Sequence, residues 1–137
     1  MKLIGGIRAL VALALVSSII WQITDRLEHG LFRPAEYFAY FSIQGTMICA
    51  VVLAVTGVRA LQGLPETKLL HLVRLSTTVY VVVISVVYNA LLRGGAGDIR
   101  DAGYHWPVIP NEIIHVWGPI VMLLDWLLVA RSEEHTS

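Results

Sequence analysis

The chain has 137 residues, of which 56% are hydrophobic and 15% are charged. Soluble domains are about half apolar and a quarter charged, so this composition favours an integral membrane protein. The formal net charge is zero and no basic run occurs, which argues against nucleic acid as a partner.

The first apolar segment runs from about Leu3 to Ile23 and can cross a hydrocarbon core about 30 Å thick. Lys2 and Arg8 followed by an apolar stretch also fit a cleavable signal peptide, which is the alternative. Residues 21–25 offer no small-residue cleavage site. We therefore predict that this segment is retained as the first transmembrane helix.

Three further apolar segments follow, separated by connectors with glycine, proline and charged residues. The predicted helices cover residues 3–23, 37–61, 70–92 and 111–130, with Asn111 as N-cap of the fourth. Continuous apolar runs must be helical in lipid, because a barrel needs strands of alternating polarity. The sequence predicts an all-α integral membrane bundle of four transmembrane helices, in one domain over residues 1–130.

The last seven residues, RSEEHTS, match the in-frame translation of a sequencing adapter. We therefore expect residues 131–137 to be a non-native tail and the natural chain to continue past Ala130. The alternative is a short, genuine polar tail.

The positions of lysine and arginine give a modest bias in orientation. With the N-terminus inside, the inner side carries Lys2, Arg8, Arg59, Lys68 and Arg74. The opposite loops also contain arginines, but acidic residues in the same loops offset their charge. We expect the N-terminus to be cytoplasmic.

Polar side chains inside a membrane are costly unless paired, so their positions are informative. Because consecutive helices alternate in direction, several polar side chains fall at one shallow depth. Among them, Ser42, Tyr88, Asn89 and His115 lie about 5–7 Å from the same end of the bundle. The set is Gln22, Ser42, Gln44, Thr46, Tyr88, Asn89 and His115. A common depth permits a shared pocket. Pro119 should kink the fourth helix and leave the carbonyl of His115 without its helical donor.

Ser42 and His115 are the candidate nucleophile and general base, since a serine hydroxyl needs a histidine to accept its proton. The alternative is that Ser42 bonds to its own helix backbone while His115 packs against a neighbouring helix. Asp125 lies about 15 Å farther along the helix and cannot orient His115. We expect Asp125 to snorkel to the surface or to pair with Arg59 or Arg74.

A metal or haem site is the alternative to a catalytic role for the histidines. No spacing typical of metal ligands occurs among His29, His71, His105 and His115. His71 also falls at the opposite end of the bundle. We expect no metal ion and no other cofactor.

Three segments resemble a family of bacterial membrane proteins with six predicted helices. The segments YFAYFSIQGTMICAVVLAV, TTVYVVVISVVYNALLRG and NEIIHVWGPIVMLLDWLL resemble its second, third and fourth helices. The family usually has FFSYFTIQSN in the second helix, so this chain departs from it at Gly45 and Thr46. The resemblance implies a six-helix protein of the bacterial plasma membrane, of which this chain holds the first four helices.

That bacterial family is similar, more distantly, to the androgen-induced family of animal membrane proteins. Those proteins are threonine hydrolases that cleave fatty acid esters of hydroxy fatty acids. Their threonine falls on Ser42, which keeps a hydroxyl nucleophile, and their essential histidine falls on His115. The resemblance implies a membrane-embedded hydrolase of lipid esters with a fatty ester as substrate and membrane lipids around it.

The sequence is compatible with two functions. For a hydrolase, the candidate pocket or oxyanion-binding residues are Gln44, Thr46, Tyr88, Asn89 and Gln22. The alternative is a non-catalytic multi-pass membrane protein that binds or transports lipid or organises partner proteins.

Overall fold

The computed structural model describes residues 2–92, 104 and 106–136. All regular secondary structure in this part of the chain is helical. Four of its helical segments are long and apolar enough to span a membrane: Lys2–Glu28, Phe41–Leu61, Lys68–Leu91 and Val108–Leu128. The predicted all-α fold with four membrane-spanning helices is confirmed.

The elements follow one another along the chain with short connectors. Helix α1 spans Lys2–Glu28, the single turn α2 spans Pro34–Tyr37, and α3 spans Phe41–Leu61. Helix α4 spans Lys68–Val87 and continues as a π-helical turn over Tyr88–Leu92. Helix α5 spans Val108–Glu112 and passes through a second π-helical turn, Ile113–Trp117, into α6 at Gly118–Thr136.

Helix α1 ends later than predicted and α3 begins later. The residues that follow Ile23 remain helical to Glu28, and the turn after them contains Gly30, whose φ of +68° is the left-handed conformation that glycine adopts most easily. At α3 the backbone of Tyr40 is extended, with φ −65° and ψ 131°, so the helix begins at Phe41. Tyr37, predicted as the helix start, ends the separate turn α2.

The fourth span begins at Val108, three residues before the predicted start at Asn111. Pro107 is the N-cap, and Asn111 lies inside α5, so its prediction as the N-cap is wrong. Pro110 is tolerated because the first turn of a helix has no internal acceptor for its N–H groups. At the other end, α6 runs on through the adapter-like residues to Thr136. His105 and most of the predicted loop 93–110 lie outside the described residues.

The crossing of α1 and α3 is the most extensive helix contact, and two glycines permit it. A Cβ atom added at Gly5 would lie 2.7 Å from the carbonyl oxygen of Gly57, and one added at Gly57 would lie 2.9 Å from that of Gly5. Small residues let helix backbones approach closely in membranes, where packing rather than water exclusion drives association. Leu15, Leu53 and Met122 fill the centre of the bundle.

A buried ion network joins three helices at the end of the bundle where α1 begins, which we call the Asp125 end. Arg8 donates to both carboxylate oxygens of Asp125, at 2.8 and 3.1 Å, and Nη1 of Arg74 donates to Oδ2 at 3.0 Å. Arg74 also donates to both oxygens of Glu66, at 2.8 and 3.3 Å. The Arg74 guanidinium is fully buried, 4.8 Å from the ring centre of Trp126. Two cations thus face two carboxylates.

Of the alternatives expected for Asp125, which are snorkelling to the surface or pairing with Arg59 or Arg74, the structure shows the pairing with Arg74. Arg59, the other candidate, instead donates from Nη2 to the backbone carbonyl of Pro65 at 3.0 Å. Arg8 is a partner that the sequence does not indicate, because α1 and α6 lie at opposite ends of the chain.

We predict that Arg8→Met and Asp125→Leu each lower the free energy of unfolding by about 3 kcal/mol or more, because each leaves an uncompensated buried charge. The double variant keeps the neutral Arg74–Glu66 pair and should be more stable than the Asp125→Leu single variant. Thermal unfolding in detergent gives the coupling between the two sites. Strictly additive losses would contradict the network as described.

We also predict that Gly57→Ala destabilises the bundle by about 1–3 kcal/mol, because the new methyl group meets the backbone of α1. Gly6→Ala is the matched control, since a Cβ atom there has nothing within 4 Å. The measurement is the unfolding temperature of both variants in the same detergent. Equal stability of the two variants would contradict the tight crossing.

Candidate active site between helices α3, α4 and α5

A cavity of about 630 Å³ lies at the end of the bundle opposite Asp125, which we call the His115 end. Its lining residues come from the start of α3, the last turns of α4 and the π-helical turn after α5. They are Ala39, Tyr40, Phe41, Ser42, Tyr80, Val83, Ile84, Val87, Tyr88 and His115. The walls are mainly apolar, and the volume is typical of sites that hold small organic ligands.

Ser42 is the second residue of α3 and contributes to the cavity wall. The first N–H groups of a helix have no helical acceptor, and Gln44 is the first residue whose N–H bonds back, to the Tyr40 carbonyl at 3.0 Å. The partial positive charge of this helix end favours a negative charge placed beside it. The backbone around Ser42 is therefore suited to an oxyanion.

The Ser42 hydroxyl does not donate to the carbonyl four residues earlier, as several hydroxyls on the spanning helices do. Five others donate to the carbonyl four residues earlier: Ser18, Thr46, Thr56, Thr77 and Thr78. For Ser42 that carbonyl belongs to Phe38, which accepts Nε2–H of Gln44 at 3.2 Å. The Ser42 hydroxyl forms no hydrogen bond with any residue that the structure describes.

His115 lies in the π-helical turn and is held through its Nδ1 atom. Nδ1 is 3.0 Å from the carbonyl oxygen of Asn111. Since a carbonyl only accepts, the neutral ring carries its hydrogen on Nδ1 and its lone pair on Nε2. This tautomer is the one that a general base acting through Nε2 requires.

Tyr88 and Asn111 hold the same histidine from the side. The rings of Tyr88 and His115 are stacked, with centroids 3.7 Å apart and planes at 14°. The Asn111 side chain donates from Nδ2 to the Tyr88 hydroxyl at 2.7 Å. Asn111 therefore contacts both rings of the stack, the histidine through its carbonyl and the tyrosine through its amide.

The carbonyl of His115 is satisfied by α4 rather than by its own helix. Pro119, four residues later, has no N–H to donate, as the sequence indicates. Ser85 donates from Oγ at 2.5 Å and Asn89 from Nδ2 at 3.3 Å. The freed carbonyl thus ties α4 to the turn that carries the histidine.

The other predicted pocket residues are distributed around the site. Tyr88 lines the cavity, and Asn89 lies behind it on the His115 carbonyl. Gln44 and Thr46 bond to backbone carbonyls of Phe38 and Ser42 and do not line the cavity.

Gln22 lies away from the cavity, under the turn α2. Its Oε1 accepts the Tyr37 hydroxyl at 2.9 Å in a buried hydrogen bond. Burial raises the pKa of Tyr37, so this hydroxyl is a proton donor at neutral pH. The pair joins α2 to α1, which positions the chain that leads into Ser42.

One wall of the cavity was not predicted, because it is mainly apolar; it consists of Tyr80, Val83, Ile84 and Val87. Their spacing of three and four residues places them on one face of α4, which is the signal available in the sequence. Among the described residues, no three His, Cys, Asp or Glu side chains are grouped closely enough to hold a metal ion.

No protein-family model, curated protein or solved structure matches the chain in comparisons with known proteins.

We predict that Ser85→Ala lowers stability by about 1 kcal/mol, because the His115 carbonyl loses a donor. In a Pro119→Ala background the loss should be smaller, since the new N–H at position 119 can donate to that carbonyl. Thermal unfolding of the four combinations measures this coupling. Ser76→Ala, an exposed serine on α4, is the control and should be neutral in both backgrounds. An equal effect of Ser85→Ala in both backgrounds would contradict the assignment.

Proposed function

We propose that the protein is a membrane-embedded hydrolase of lipid esters, with Ser42 as nucleophile and His115 as general base. The observation that carries the proposal is that Ser42 and His115 both line one cavity with mainly apolar walls. Such walls suit an acyl chain, and the two polar side chains suit the ester group at its end.

The proposed reaction begins when Oγ of Ser42 attacks the ester carbonyl carbon and Nε2 of His115 accepts the hydroxyl proton. The oxyanion is stabilised by the first-turn amides of α3. The ester C–O bond then breaks, and His115 returns its proton to the departing alcohol oxygen. Water attacks the acyl-serine, gives its proton to His115 and releases the fatty acid, and the proton returns to Ser42.

In this mechanism, substrate binding has to bring Ser42 and His115 into catalytic geometry. No hydrogen bond joins Ser42 and His115 within the described part of the chain. Catalytic hydrogen bonds are often long or absent before substrate binds and tighten in the complex. An ester between the two side chains would also exclude water from the apolar cavity, which strengthens the interactions at the oxyanion.

The resemblance of the helix segments supports the same two residues. We include in the proposal the family it implies, a six-helix bundle of the bacterial plasma membrane whose first four helices are present here. The distribution of lysine and arginine supports a cytoplasmic N-terminus. The His115 end would then face outward and take its substrate from the outer leaflet.

A non-catalytic lipid-binding protein is the second candidate. The observation that favours it is the apolar wall itself, because such a surface binds an acyl chain without any chemistry. In that case Ser42 and His115 would contact the polar end of the lipid.

Labelling with a lipophilic fluorophosphonate, which reacts with activated serines, tests the hydrolase. We expect labelling of the wild-type protein, none of Ser42→Ala, and a rate about a hundredfold lower in His115→Ala. Ser17→Ala, an exposed serine on α1, and His71→Ala, at the Asp125 end, should label at the wild-type rate.

Thermal unfolding shows whether each variant is folded. Equal labelling of the wild type, Ser42→Ala and His115→Ala would refute the catalytic pair. A folded wild-type protein that retains a photoreactive lipid in the cavity without labelling at Ser42 would favour the lipid-binding function.

A further inference from the structure

Gly45 lies three residues after Ser42, behind the wall of the cavity. A Cβ atom added there would lie 2.7 Å from Cε1 of Tyr80 and 3.0 Å from Cδ1 of Ile84. Contacts below 3.0 Å require a neighbour to move. The side chains of Tyr80 and Ile84 therefore pack directly against Gly45.

Tyr80 and Ile84 line the cavity, whereas Gly45 does not. Tyr80 and Ile84 therefore separate Gly45 from the cavity. They occupy space that a side chain at residue 45 would need. The Tyr80 hydroxyl adds only a long hydrogen bond, 3.4 Å, to the carbonyl oxygen of Phe41. A larger residue at position 45 would push the Tyr80 ring into the cavity.

We propose that Gly45, acting through Tyr80, determines the length of acyl chain that the cavity accepts. The inference rests on the proposed function for the identity of the ligand. A group the size of a water molecule occupies about 30 Å³, so the cavity corresponds to about twenty methylene-sized groups. The ligand class is an ester with a long acyl chain, because the cavity walls are mainly apolar.

The position also distinguishes this chain from the bacterial pattern it resembles, which usually has serine there. A serine side chain would meet the same two atoms as an alanine Cβ. Gly45→Ser and Gly45→Ala are therefore two independent ways to narrow the cavity while the Ser42 and His115 side chains are unchanged.

Two series of probes test the inference on the full chain in detergent. Alkyl fluorophosphonates with butyl, octyl, dodecyl and hexadecyl chains report reaction at Ser42. Glycerol monoalkyl ethers of the same chain lengths with a terminal diazirine contain no ester, and they report binding alone by photo-crosslinking. For the wild type we expect the long chains to be preferred in both series.

In Gly45→Ala and Gly45→Ser, the ratio of hexadecyl to octyl crosslinking should fall about tenfold or more, because a small change in an apolar pocket has effects of this size. Tyr80→Leu should move the preference toward longer chains, and the Gly45→Ala/Tyr80→Leu double variant should recover the long-chain preference. Gly6→Ala is the matched control, with open space around the added methyl, and should keep the wild-type ratio.

The outcomes separate the two proposals. Shifted ether crosslinking without fluorophosphonate labelling of Ser42 would refute the hydrolase and support the role of Gly45. An unchanged chain-length profile in folded Gly45→Ala would overturn the inference. If the Gly45 variants do not fold, Tyr80→Leu decides, because an unchanged profile in that variant would overturn the inference as well.

Discussion

The pairing of Asp125 with Arg8 and Arg74 is the interaction on which the arrangement of the helices depends. A buried charge without a partner costs several kcal/mol, so α1, α4 and α6 must meet at the depth and on the faces where these groups touch. His115 lies ten residues before Asp125 on one continuous helical segment. The ion network at one end therefore helps to determine the height and direction of the histidine about 15 Å away.

Departures from regular α-helix then position the residues of the site. Pro119 removes one backbone donor, and the chain responds with a π-helical turn that carries His115. The freed carbonyl binds Ser85 on α4, and the ring stacks on Tyr88 of the same helix. Ser42 approaches from the start of α3, where the backbone amides are not used by the helix. Local irregularities of three helices thus meet at one cavity.

Glycine has two different roles in this bundle. Gly5 and Gly57 allow two backbones to touch, which is a matter of stability, because packing drives helix association in lipid. Gly45 instead leaves room for the side chains of a neighbouring helix, and so it affects the size of the cavity. Composition alone does not distinguish these roles, since both are helical glycines in apolar segments.

The sequence by itself determined the four spans, the common depth of Ser42, Tyr88 and His115, the free carbonyl before Pro119 and the separation of Asp125 from the site. These follow from length, helix rise and proline chemistry, which are local properties. Only the tertiary structure decided that Arg8 rather than Arg59 pairs with Asp125, that Gln22 bonds to Tyr37, and that Tyr80 and Ile84 line the same cavity as Ser42. The reason is physical: a helix in lipid is apolar on its outer and inner faces alike, so its pattern carries depth but little information about which face meets a neighbour.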